Sequence, residues 1–158
     1  CQSNLAEAYM GLKDYAKAEP LIIAAKSTLE KTEGSQSPAT ASLLDNLATL
    51  YSRTNRLTEA EDLQRRAIVI IEKYHGHFSA DTAISMNNLA TTYSLEGKND
   101  EAKRTSLEAC AIAQKALGPN HPYTRRCLRV LDGILGKGLK QEPGVAPTPA
   151  TATSQAAQ

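Results

Sequence analysis

Asn4-Leu5-Ala6 followed by Tyr9 returns 42 residues later as Asn46-Leu47-Ala48 with Tyr51, and again as Asn88-Leu89-Ala90 with Tyr93. The same step links Ala18, Ala60 and Ala102, then Ala25, Ala67 and Ala109. It also links Gly34, Gly76 and Gly118, and Thr40, Thr82 and Thr124. Columns that hold one period without slippage mark a chain built from a repeated supersecondary unit.

Within a period, apolar residues fall at helical spacing over about Pro38–Arg53 and again over Leu57–Tyr74. The polar stretch Thr54-Asn55-Arg56 separates them, as Glu96-Gly97-Lys98-Asn99-Asp100 does in the third repeat. Gly34, Gly76 and Gly118 follow the second helices, where a left-handed cap costs glycine least. Ser37-Pro38 and His121-Pro122 then open the next helices, proline being tolerated at a first helical position. Pro20 is the exception, since inside a second helix it removes a hydrogen bond. Each repeat is a pair of antiparallel helices, and one pair alone cannot bury its apolar face. Stacking supplies the core, with alanines seven apart letting helices approach and Leu47 and Tyr51 filling the space between.

The expected fold is therefore all-α. It is an α-solenoid of stacked helix hairpins, with repeats at about 1–36, 37–78 and 79–120 and a capping helix at 121–136. From residue 137 to 158, Pro, Ala, Thr and Gln dominate, a composition that predicts a disordered tail.

Composition narrows the function. Eighteen basic and seventeen acidic residues give a net charge of +1, which offers no broad field for nucleic acid. No stretch approaches the ~18 uninterrupted apolar residues of a membrane helix. Cys1, Cys110 and Cys127 are too few and scattered for a disulfide framework or a zinc site, and read as reduced thiols. His75 and His77 lack a third ligand nearby in sequence and read as loop histidines. No histidine is positioned to activate a cysteine, and no glycine-rich phosphate loop is present. Glu59 and Glu61 read as repeat surface residues rather than an acid and a base. The residues predict no enzyme and no cofactor.

The Leu and Ala with Tyr beyond, and the alanines seven apart, resemble the tetratricopeptide repeat. The 42-residue period is similar to the kinesin light chain type of that repeat. So are Glu59-Ala60-Glu61, Arg66-Ala67 and Gly118-Pro119-Asn120-His121-Pro122. The resemblance covers residues 1 to about 136. It departs at Asn99 and Lys103, where the other repeats have Tyr15 or Leu57 and Glu19 or Glu61. It implies a scaffold that holds a protein or peptide partner.

At about 100° per residue, Leu5, Ala6 and Tyr9 share one side of their helix. Asn4, Glu7 and Gly11 fall almost opposite, as do Asn46, Thr49 and Arg53, and then Asn88, Thr91 and Leu95. The resemblance implies that this face lines a concave groove. An asparagine amide both donates and accepts, so an Asn column suits the main chain of a peptide of any sequence. Bonding between neighbouring helices would account for the column equally well. Asp45 and Asn87, beside the Asn column, complete the candidate groove with Arg126 and Arg129, which could hold an acidic group. The set of basic residues with which some tetratricopeptide proteins clamp a terminal carboxylate is not reproduced.

The competing expectation is a structural repeat segment of a larger multidomain protein, and an uncapped first hairpin would permit end-to-end self-association. A cytoplasmic location is expected. The alternative is an exported lipoprotein with Cys1 as its lipidated N-terminus. Residue 1 matches Leu43, inside a helix of the next repeat, which speaks against that alternative.

Overall fold

The computed structural model describes residues 2–136, with side chains from residue 5 onward. Cys1, the Asn4 side chain and the 137–158 segment, for which a disordered tail is expected, lie outside the described residues. Seven helices follow in order: α1 (Gln2–Gly11), α2 (Tyr15–Thr32), α3 (Pro38–Arg53), α4 (Leu57–His75), α5 (Ala80–Leu95), α6 (Asn99–Leu117) and α7 (Pro122–Ile134). Each helix packs on the next, so α1–α2, α3–α4 and α5–α6 form hairpins and α7 closes on α6. In addition α3 packs on α5 and α5 on α7, whereas no comparable contact links α2, α4 and α6. From α3 onward the first helices therefore approach one another more closely than the second helices do, which puts α3, α5 and α7 on the inner side of the stack.

The small-residue columns are where the helices meet. Ala18, Ala60 and Ala102 are fully buried, as are Ala48, Ala67, Ala90 and Ala109. A larger side chain at any of them would force neighbouring backbones apart. Leu47, Tyr51, Leu89 and Tyr93 fill the volume between and are also buried.

One hydrogen bond explains two of the sequence columns together. Thr40 Oγ1 donates to Gly34 O at 2.9 Å, Thr82 Oγ1 to Gly76 O at 2.9 Å, and Thr124 Oγ1 to Gly118 O at 2.8 Å. All three threonines are fully buried, and each bond gives the buried hydroxyl and the glycine carbonyl a partner away from water. The glycines have positive φ, as expected, but Gly76 and Gly118 pair it with ψ 157° and 162°. They are extended rather than left-handed helical, in a region open almost only to glycine. That conformation turns the carbonyl toward the threonine six residues on.

Inside each hairpin a second positive-φ position recurs, at Lys13 (60°), Asn55 (64°) and Gly97 (76°). These lie 42 residues apart but carry three residue types, so identity alone conceals the column. The connection before α6 is shorter than expected, because Asn99 and Asp100 already belong to the helix and Asp100 supports its N-terminus. His75 likewise ends α4 rather than lying in a loop. Pro20 sits within α2, which runs through it as one helix, and faces solvent.

Arg56 and Lys98 occupy the N-cap positions of α4 and α6 with no side-chain cap, an unfavourable place for positive charge. Acids offset it. Arg56 bonds Glu19 of the preceding hairpin at 2.7 Å and Glu59 at 2.6 Å, and stacks 3.6 Å over the Tyr51 ring. Lys98 bonds Glu61 of its preceding hairpin at 2.6 Å. Hydrogen bonding from Glu59 and then Glu19 raises the Arg56 pKa, and Glu61 and then Glu96 do the same for Lys98. The same ion pair therefore ties hairpin one to two and two to three. Glu61 is consequently a half-buried link between repeats, not merely a surface residue.

Candidate functional site

Two clefts open where first helices meet. One, of about 180 Å³, lies between α1 and α3 and is lined by Glu7, Met10, Leu43 and Asn46, with Ile22 from α2 beneath. The next, of about 260 Å³, lies between α3 and α5 and includes Ser42, Asp45, Asn46, Ser85 and Asn88, with His75 reaching in from α4. Asn46 borders both, so the clefts form consecutive stretches of one furrow along the inner face.

Of the sequence candidates, Asp45, Asn46 and Asn88 line these clefts, whereas Thr49, Arg53, Asn87, Thr91, Leu95, Arg126 and Arg129 line neither. Asn46, Thr49 and Asn88 are half-buried, while Arg53, Thr91 and Leu95 are exposed or nearly so. Among the described residues, neither the Asn46 nor the Asn88 amide enters a side-chain hydrogen bond. Bonds in their neighbourhood run instead from Thr91 Oγ1 to Asn87 O at 3.0 Å and from Thr92 Oγ1 to Asn88 O at 3.3 Å. The Thr91 hydroxyl is thus engaged within its own helix. Arg126 and Arg129 both lie on α7, Arg126 exposed and Arg129 exposed. Arg126 stands one repeat beyond Ile84, which lines the α3–α5 cleft.

Asn87 is a correction. It is 2% exposed, with Oδ1 lacking a hydrogen-bond partner, and belongs to the helix packing rather than the groove surface. One residue before Asn88 means a rotation of about 100°, enough to turn it from the furrow into the contact between helices. Asp45 holds the equivalent position one repeat earlier but keeps an edge on the α3–α5 cleft. Its Oδ2 accepts the hydroxyl of Ser85, and its Oδ1 is buried without a partner. Burial, opposed by the Ser85 hydrogen bond, pushes the Asp45 carboxyl up to about 6.

Sequence reasoning missed Ser85, Ser42, Asp81 and His75 as furrow residues. The signal that could have found Ser85 is a separation of 40, two less than the repeat. Ser85 meets Asp45 at that separation, Ser52 meets Thr92 at 2.9 Å, and Tyr123 Oη donates to Ala83 O at 3.3 Å.

The histidines pair with acids. His75 Nδ1 lies 2.6 Å from Asp81 Oδ2, and His77 Nδ1 lies 2.6 Å from Glu72 Oε1. Among the described residues no three His, Cys, Asp or Glu side chains converge to hold a metal ion. Cys110 and Cys127 are free and buried together between α6 and α7. The neighbouring Cys110 thiol lowers the Cys127 pKa to about 7 against the opposing effect of burial, and Cys110 is raised in turn. No described helix is long and apolar enough to cross a membrane.

The tetratricopeptide repeat model matches residues 2–68, 56–115 and 81–131. Among solved structures the chain is similar to BtubC (BKLC) from P. vanneervenii, with 23% identity and a TM-score of 0.74, covering 99% of this chain and 69% of that one. It is also similar to the nearly identical TPR-like repeats of a kinesin light chain-type protein from Podosopora anserina, with 24% identity and a TM-score of 0.76. That alignment covers 86% of this chain and 66% of the other, and a single-substitution variant of the same repeats aligns with a TM-score of 0.75. At these identities the likeness concerns the fold. Among curated proteins, none matches the sequence. The chain belongs to the tetratricopeptide repeat family, whose members generally serve as scaffolds for protein–protein interaction.

Proposed function

We propose that the inner furrow binds an extended peptide segment of a partner protein, and that the chain is a non-catalytic scaffold. The observation that carries this reading is the pair of half-buried residues Asn46 and Asn88, Asn46 bordering both neighbouring clefts and Asn88 the second. Asparagine is a poor helix former in mid-helix, and no other side chain among the described residues uses these two amides. A free amide at one-repeat intervals can accept from and donate to a peptide main chain at successive points. Arg126 and Arg129 lie toward one end and suit an acidic group of the partner.

The test is selection from a random peptide library on the parent chain and on Asn46→Ala/Asn88→Ala. Peptides that enrich on the parent and are lost from the double variant support the furrow. Identical selections on both proteins, or no enrichment on the parent, contradict it.

A further inference from the structure

Of the two clefts along the furrow, the one between α3 and α5 has a distinct electrostatic character. Its ionisable lining comprises Asp45 of α3, His75 of α4 and Asp81 of α5, and it contains no lysine or arginine. His75 is engaged by Asp81 at 2.6 Å, and Asp81 is itself acidic, so neither serves Asp45 as a partner. The remaining lining from α5 that faces Asp45, namely Ile84, Ser85 and Asn88, is uncharged. Helix α2 also packs on α3 but contributes nothing to this lining. Asp45 is left with one neutral donor, Ser85, and one oxygen that nothing satisfies.

We propose that this cleft takes a lysine or arginine side chain of the bound peptide, with the cationic head meeting the Asp45 carboxylate. The inference rests on the peptide-furrow reading and names the residue class read at one point along it. Asn46 and Asn88 flank Asp45 in the same cleft, so a peptide main chain held by those amides would deliver a side chain to the carboxylate. The volume of about 260 Å³ lies below the roughly 300–1,000 Å³ of ordinary small-molecule pockets and suits a single long side chain. Oδ1 is enclosed, so the cationic head approaches from the cleft side that Asp45 borders; the charge is shared by two equivalent oxygens, and a contact at one neutralises the group.

The physical reason for selectivity is the unpaired charge. A carboxylate deprived of water and of a counterion is costly to keep ionised, which agrees with its elevated pKa of about 6. A cation arriving with the ligand restores the missing partner, and a charge-assisted hydrogen bond at a partly buried carboxylate is stronger than a neutral one. An acidic peptide residue would face the opposite sign in the same space. Binding of the cation therefore favours the ionised carboxylate and weakens as Asp45 is protonated.

The experiment uses the full chain and the peptides selected on it. Each enriched peptide is resynthesised with its basic residue replaced by norleucine, and binding is followed by fluorescence anisotropy near pH 7.5 and near pH 5. The parent should select peptides with lysine or arginine at one fixed position. It should bind them about tenfold more tightly than the norleucine forms near pH 7.5, a difference of one charge-assisted contact, and lose most of that preference near pH 5. Asp45→Asn should bind the basic peptides no more tightly than their norleucine forms at either pH. Since Asn87 occupies the equivalent position in the next repeat, the substitution has a precedent within the fold, and the pH series on the parent stands independently of it.

Peptides that need Asn46 and Asn88 but show no basic position overturn this inference and leave the furrow reading intact. A basic preference that survives Asp45→Asn overturns it as well. Absence of any peptide binding overturns both.

Discussion

The Ser85 hydroxyl on α5 donates to the carboxylate of Asp45 on α3, joining two first helices across 40 residues. Among the described residues this neutral bond is the only one the carboxylate receives from a side chain, and its other oxygen is buried and unmet. Asp45 consequently titrates near 6 in the folded chain, against 3.8 for the free group. The folded state then holds the proton more tightly than the unfolded state. Stability contributed by this site is full below the free value, falls as pH rises from 3.8 toward 6, and stays low above that range. Asp45→Asn should remove the slope and raise stability at neutral pH by about 1–3 kcal/mol. Carboxylates such as Glu61 and Glu59, whose pKa values are lowered, give the opposite slope, so the quantity to measure is the parent–variant difference in urea midpoint across about pH 4–7.

Lys13 carries a strain that its repeat equivalents avoid. Its φ is 60°, at the turn position that Asn55 and Gly97 also occupy. Asparagine and glycine tolerate that conformation, whereas a lysine pays roughly 1 kcal/mol for it. Lys13→Gly should therefore stabilise the chain by about 0.5–1 kcal/mol, glycine's larger unfolded-state entropy taking back part of the gain. Gly97→Lys should lower stability by a similar amount. A pair of thermal melts decides the matter.

Thr82 and Gly76 make the turn between repeats a single hydrogen-bonded unit, with Ser79 accepting the Thr82 N–H at 3.1 Å. Thr82→Val keeps the shape but deletes the buried hydroxyl, and should cost about 1–3 kcal/mol. Gly76→Ala tests the backbone separately. A Cβ there meets nothing within 4 Å, so its cost, about 1–3 kcal/mol, comes from φ 85° with ψ 157° rather than from collision. Calorimetry on both variants checks the two values.

What the sequence reveals depends on how each feature is encoded. The hairpins, their helical bounds near Pro38–Arg53, and the buried alanines repeat in identity, so the period exposes them. The positive-φ turn column does not, because Lys13, Asn55 and Gly97 share a conformation but not a residue. That Asn46 and Asn88 turn away from their own hairpin's core follows from helix rotation alone. Burial of Asn87 does not, because it depends on how closely α5 approaches neighbouring first helices. The cleft around Asp45 is also hidden, since Ser85 and His75 come from different repeat positions and meet only after stacking.

Side-chain amide resonances report on the furrow without altering it. In a ¹⁵N-labelled chain, a peptide selected on the parent should shift the side-chain NH₂ signals of Asn46 and Asn88 in proportion to its saturation. Residues of the shallow depression on the outer face of α6, such as Lys103 and Arg104, should stay still. Shifts confined to α6, with Asn46 and Asn88 unmoved, would contradict the furrow as the binding site.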